Sequence, residues 1–173
     1  MKHETRALVR RVGQGLLAIS AVLTLVLLPG RTSAATGGPA ALTATLDGRP
    51  LKLSSVADWY CDDFSYPAIT CFSDPSALAT RDATLTATSS LEYVTIYDFT
   101  SYQGSFMHVS QDYTVLATIG WNDRISSFIA RNSLEGDFFV DWFYGGDSLH
   151  FCCNSAVPSL GSFDNSFSSV RQG

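Results

Sequence analysis

The stretch WNDRISS, residues 121–127, places two side-chain oxygens next to each other in Asn122 and Asp123 and two hydroxyls in Ser126 and Ser127. On composition alone this is an ordinary surface turn, because Asn, Asp and Ser bond their own backbone and suit tight bends. Sliding residues 94–131 forward by 42 positions changes that reading. Tyr102 falls on Tyr144, Gly104 on Gly146, His108 on His150, Tyr97 on Phe139 and Trp121 on Phe163, and NDRISS falls on DNSFSS, residues 164–169. Turns that recur at one distance from the same Tyr-x-Gly imply a repeated supersecondary unit.

The segments that flank the repeated turns read as strands. EYVTIYDF, SFMHVSQ, SSFIA, DFFVDWF and SLHFCC are rich in β-branched and aromatic residues, and no amphipathic helix of ten or more residues is visible from Tyr93 onward. Short strands between turns predict an all-β sandwich. Gly104 and Gly146 sit where a hairpin must fold back over its sheet, a place for positive φ. Tyr102 and Tyr144 can cover that fold, and Ser127 and Ser169 fit a role bonding its backbone. Strict alternation puts Met107 and Val109 on one face and His108, like His150, on the exposed one.

YDFTSYQG, Tyr97 to Gly104, followed by an Asn/Asp-Asn/Asp-x-x-Ser/Thr-Ser loop, resembles the βγ-crystallin Greek-key motif. FVDWFYGG, Phe139 to Gly146, followed by DNSFSS, resembles a second copy, with Phe139 in place of the leading Tyr. The resemblance implies an all-β, βγ-crystallin-like Greek-key sandwich of two motifs, 94–131 and 137–173, in a domain spanning 92–173. It implies bound Ca2+, an ion that takes six to eight oxygens, more than one six-residue loop offers. In that family the two loops share their ligands. Carried over, Asn122 and Asp164, and Ser126 and Ser168, supply side-chain oxygens. Arg124 and Ser166 supply backbone carbonyls, and Asp123 and Asn165 either ligate or orient the loop. A further carbonyl is expected from the hairpins near Asp98 and Val140.

The N-terminus reads differently. MKHETRALVRR is basic, Gly15 to Leu28 is apolar, and Pro29, Gly30 and small residues follow, which is the order of a secretory signal peptide over residues 1–35. Export and cleavage leave six Lys/Arg against fifteen Asp/Glu, a formal net charge of −9. Such a chain repels phosphate backbones and anionic membrane, so nucleic acid is excluded as a partner and membrane is too once the signal is cleaved, whereas cations are favoured. Cys61, Cys71, Cys152 and Cys153 are expected to form two disulfides in an oxidising compartment, with the pairing open. Residues 36–91 form a small mixed extension, similar to the extra segments of secreted actinobacterial members of the family. It contains a hairpin at Asp47-Gly48, a short helix from SDPSALATR, a linker or exposed strand over 83–90, and a solvated turn at Cys61-Asp62-Asp63.

No Ser-His-Asp order, Gly-x-Ser-x-Gly or His-Glu-x-x-His occurs, so a catalytic role is not expected. Trp142, Phe143 and Tyr144 read as hairpin packing, ahead of a glycan- or protein-binding patch. The leading expectation is a secreted Ca2+-binding protein whose fold calcium stabilises. The second is a secreted protease inhibitor or killer-toxin-like binder of an extracellular protein on the same scaffold, using an exposed loop such as RNSLEGD, residues 131–137.

Overall fold

The computed structural model describes residues 40–87 and 90–173, and the segment expected to be a signal peptide, 1–35, lies outside them. The hairpin at Asp47-Gly48 is present. β1 (Thr43–Leu46) and β2 (Arg49–Leu51) pair antiparallel, with Asp47 at φ 48° and Gly48 at φ 77° closing a two-residue loop. A 3-10 turn, Leu53–Asp58, leads to the antiparallel pair β3 (Tyr60–Ser65) and β4 (Ala68–Phe72). Cys61 and Cys71 stand directly opposite each other in that pair and are bonded. The helix α1 (Pro75–Thr86) starts where Asp74 accepts a hydrogen bond from the Ser76 amide at 2.9 Å and Pro75 fills the first turn. It runs through Ala83–Thr86, where the sequence reads as linker or strand, because packing against β3 and β4 outweighs the weak helix propensity of threonine. Among the described residues no helix is long and apolar enough to cross a membrane.

The repeated part follows as β5 (Tyr93–Phe99), β6 (Gln103–Val109), β7 (Ser127–Arg131), β8 (Gly136–Phe139), β9 (Ser148–Phe151), β10 (Ala156–Val157) and β11 (Ser169–Gln172). β5 lies between β6 and β7, and β8 lies between β9 and β11. The third segment of each motif crosses to the other motif's sheet. β10 pairs with β7, and Tyr113 bridges to Val170 of β11. This exchange is a pair of interlocked Greek keys, and it closes a core of Trp121, Phe128, Phe138, Phe151 and Phe167, each no more than 1% exposed. Cys152 and Cys153 bond to each other after β9, so both disulfides are local and no free cysteine remains among the described residues.

The extension alters one motif only. β3 joins β6 in parallel, extending the first motif's sheet through β4 to β1 and β2. Two expectations fail here for the same reason. Asp62 and Asp63 are not in a solvated turn but fully buried in β3. Asp62 pairs with Arg81 of α1 at 2.6 Å, and Asp63 accepts the Ser110 amide and hydroxyl, each at 2.7 Å, and the Tyr113 hydroxyl at 3.2 Å. His150 is exposed as read, but His108 is 8% exposed. The rings of Phe64, Tyr93 and Phe106 surround His108, and Asp82 of α1 meets its Nε2 at 2.8 Å. Strand alternation places both histidines alike, and burial beneath the extension separates them.

Candidate functional site

The two folded hairpins set the frame. In each, a 3-10 turn places two successive residues at positive φ: Ser101 (58°) and Tyr102 (63°) in the first, Phe143 (57°) and Tyr144 (65°) in the second. The serines hold these turns as expected. Ser127 Oγ donates to the Phe99 carbonyl at 2.6 Å and accepts from the Tyr102 amide at 3.0 Å. Ser169 Oγ donates to the Asp141 carbonyl at 2.7 Å and accepts from the Tyr144 amide at 3.0 Å. Tyr102 packs on Tyr97 and Tyr144 on Phe139. Gly146, at φ 73°, has no room for a Cβ, which would come within 2.5 Å of Val140. Ser127→Ala and Ser169→Ala should each cost about 2 kcal/mol in urea unfolding, because each leaves a hairpin amide and carbonyl without partners.

The two loops meet about a pseudo-twofold. The Asp123 amide donates to the Phe167 carbonyl and the Asn165 amide to the Ile125 carbonyl, both at 3.0 Å. Asp123 and Asn165 share φ 55°, and Ser126 Oγ donates to Asn165 Oδ1 at 3.2 Å. Beside this junction is a cavity of about 630 Å3. Asp123, Ser126, Asp164 and Asn165 line it, together with Asp98, Phe99 and Thr100 of the first hairpin.

The other residues singled out from sequence lie around it. The Asn122 side chain accepts the Trp142 indole N–H at 2.9 Å, which ties the first loop to the second hairpin. Ser166 Oγ donates to the Phe163 carbonyl, and Ser168 is buried with its amide on the Phe139 carbonyl. Arg124 forks Asp98 with two bonds of 2.9 Å and reaches Asp58 at 3.0 Å. The Asp98 hydrogen bonds, with Asp58 adding to them against the effect of burial, push its pKa up. The carboxylates of Asp98 and Asp58 are the site residues that sequence reasoning missed. Trp142 and Phe143 are 52% and 70% exposed, so only Tyr144 of that trio packs as read. RNSLEGD is a tight turn with Leu134 buried and Asn132 bonded to the Leu91 carbonyl.

The polar side chains lining the cavity are carboxylate, amide and hydroxyl, with no sulfur or imidazole. That donor set suits a hard cation such as Ca2+ and not a thiolate- or histidine-bound metal. Among the described residues no three His, Cys, Asp or Glu side chains cluster as a metal site, so an ion here would also draw on carbonyl and water oxygens. The residues present fit such an ion, with Asp123, Ser126, Asp164 and Asn165 as its holders.

Two hairpins folded over their sheets, each pinned by a serine and coupled through reciprocal loops, complete the pattern read in the sequence. The fold is that of a βγ-crystallin-like Greek-key domain. The chain is similar to a βγ-crystallin from Ciona intestinalis at 24% identity over 47% of this chain and 99% of that one, with a TM-score of 0.43. A βγ-crystallin from an archaeon is 26% identical over 47% and 98% of the two chains, with a TM-score of 0.42. A βγ-crystallin domain from Flavobacterium johnsoniae is 27% identical over 46% and 92%, with a TM-score of 0.41. No protein-family model and no curated protein matches the chain.

The βγ-crystallin fold here also holds a hydroxyl–imidazole–carboxylate chain that sequence order does not reveal. Thr95 Oγ1 lies 2.9 Å from His108 Nδ1, and His108 Nε2 lies 2.8 Å from Asp82. Thr95 is 1% exposed, so no substrate carbonyl reaches its hydroxyl. The chain ties α1 to the first motif's sheet.

Proposed function

We infer that this is a secreted calcium-binding protein, not an enzyme, in which Ca2+ joins the two loops and so stabilises the fold. The observation that carries the reading is the cavity where oxygens of the first hairpin and both loops converge. Asp123, Ser126, Asp164 and Asn165 hold the ion there, while Asn122 and Ser168 stand at the related positions beside the second hairpin. Bound calcium supplies positive charge to paired loops whose own cation, Arg124, is committed to Asp98 and Asp58. Because the loops meet only in the folded chain, binding favours folding. Secretion is supported by the charge and apolar order of residues 1–35. The buried Thr95 supports a non-catalytic role.

Calorimetric titration of the mature protein with Ca2+ is expected to give saturable heat at dissociation constants of about 10⁻⁵ to 10⁻³ M. Free Ca2+ at about 100 times the dissociation constant should add about 2.7 kcal/mol per site and raise the melting temperature by several degrees over that in EDTA. Identical melting in both, with no heat of binding, would defeat the reading.

A further inference from the structure

The two motifs differ in charge beside the cavity. Arg124 is the third residue of the first loop, and Ser166 holds that place in the second. Asp98 and Val140 are likewise equivalent. Only the first motif therefore carries a fixed cation on a carboxylate that lines the cavity. The guanidinium is forked on Asp98 at 2.9 Å through both Nε and Nη2, its ring-side neighbour is Trp121 at 5.8 Å, and its third arm reaches Asp58. Asp58 ends the 3-10 turn of the extension, 66 residues away along the chain.

We propose that Arg124 is a built-in counter-cation that sets the affinity of the first-hairpin cavity for Ca2+, and that Asp58 makes this affinity depend on the N-terminal extension. This rests on the calcium reading above. A divalent ion entering the cavity meets a carboxylate already neutralised and a positive charge beside it, and ligand charge count is what tunes calcium affinity. A planar guanidinium forked on a carboxylate is not easily displaced. Asp58 offsets part of that positive charge and holds one arm toward the extension. The second hairpin has no such cation, so the two sites are unequal, with the first-hairpin site the weaker.

The test is calcium calorimetry on the full mature protein and its variants. Arg124→Ser is expected to tighten one of two sites about tenfold and leave the other unchanged. Arg124→Gln, which keeps an alkyl stem over Trp121, should do the same, so that a folding defect in either variant does not decide the result. Asp58→Asn should act in the opposite direction, weakening that site about threefold by removing one negative charge. In the Arg124→Gln background it should lose its dependence on the arginine and change affinity by no more than a distant surface charge would. Unequal sites that become equal in Arg124→Ser support the proposal. Wild-type binding that Arg124→Ser and Arg124→Gln leave unchanged or weaken overturns the proposal while the calcium reading stands. Absence of binding in wild type and in every variant overturns both.

Discussion

Arg81→Ala is expected to lower the unfolding free energy by about 3 kcal/mol at pH 7, toward the low end of the cost of leaving a buried charge without its partner. Asp62 is fully buried in β3, and Arg81 bonds it through Nε at 2.6 Å and Nη2 at 3.3 Å. The arginine is 26% exposed, so water entering the vacated place offsets part of the loss. Burial holds the Asp62 pKa above its ordinary value, and the Arg81 hydrogen bond and charge oppose that rise. Without Arg81 the pKa rises further. A carboxyl raised in the folded state contributes stability that is complete below its unfolded pKa and lost as pH rises through the folded one. The deficit of Arg81→Ala against wild type should therefore be largest at neutral pH and shrink on acidification toward pH 4. Urea unfolding at pH 7 and pH 4.5 measures it. An equal deficit at both pH values would mean that lost packing of the arginine stem, not the stranded charge, is responsible.

That ion pair also shows where the sequence stops being informative. Cys61-Asp62-Asp63 has the composition of a turn, and nothing local announces that β3 will lie parallel to β6 and beneath α1. The repeated half was legible because each device occurs twice at one offset. Ser127 and Ser169, Gly104 and Gly146, and Asp123 and Asn165 have matching partners or dihedrals, so two weak local signals confirm each other. The same comparison hides whatever the motifs do not share. Asp98 falls on Val140, and Asp58 belongs to no repeat, so the Arg124 bridge has no counterpart to point to it. His108 and His150 show the converse error: the repeat makes them equivalent, and the unrepeated extension buries one of them.

The extension is thus the part of this chain that its motifs do not predict, and it reaches both ends of the first motif's chemistry. Asp82 meets His108 on the sheet, and Asp58 meets Arg124 at the loop junction. A junction of two similar loops acquires an asymmetry only from residues outside the repeat or from departures within it, and this chain has both.

Asp63→Asn should remove a pH dependence worth about 3 kcal/mol. Burial raises the Asp63 pKa from 3.8 to about 6, against the hydrogen bonds from Ser110 and Tyr113. The sign follows from the direction of the shift. The folded protein binds this proton more tightly than the unfolded chain does, so the stabilisation is complete below pH 3.8 and is lost as pH rises through about 6. An asparagine keeps the acceptor for the Ser110 amide and hydroxyl and carries no proton to lose. Relative to wild type, the variant should therefore gain most of this, about 2 kcal/mol or a little more, between pH 4 and pH 7, whatever its absolute stability. Tyr113, whose hydroxyl bonds Asp63 and whose backbone bridges to Val170, links this carboxyl to the Greek-key exchange, so the titration should be felt in global unfolding and not in a local opening. Urea midpoints of wild type and variant at half-unit steps of pH give the comparison. Parallel curves would show that Asp63 titrates in the fold as it does in the unfolded chain, and that hydrogen bonds from Ser110 and Tyr113 fully offset its burial.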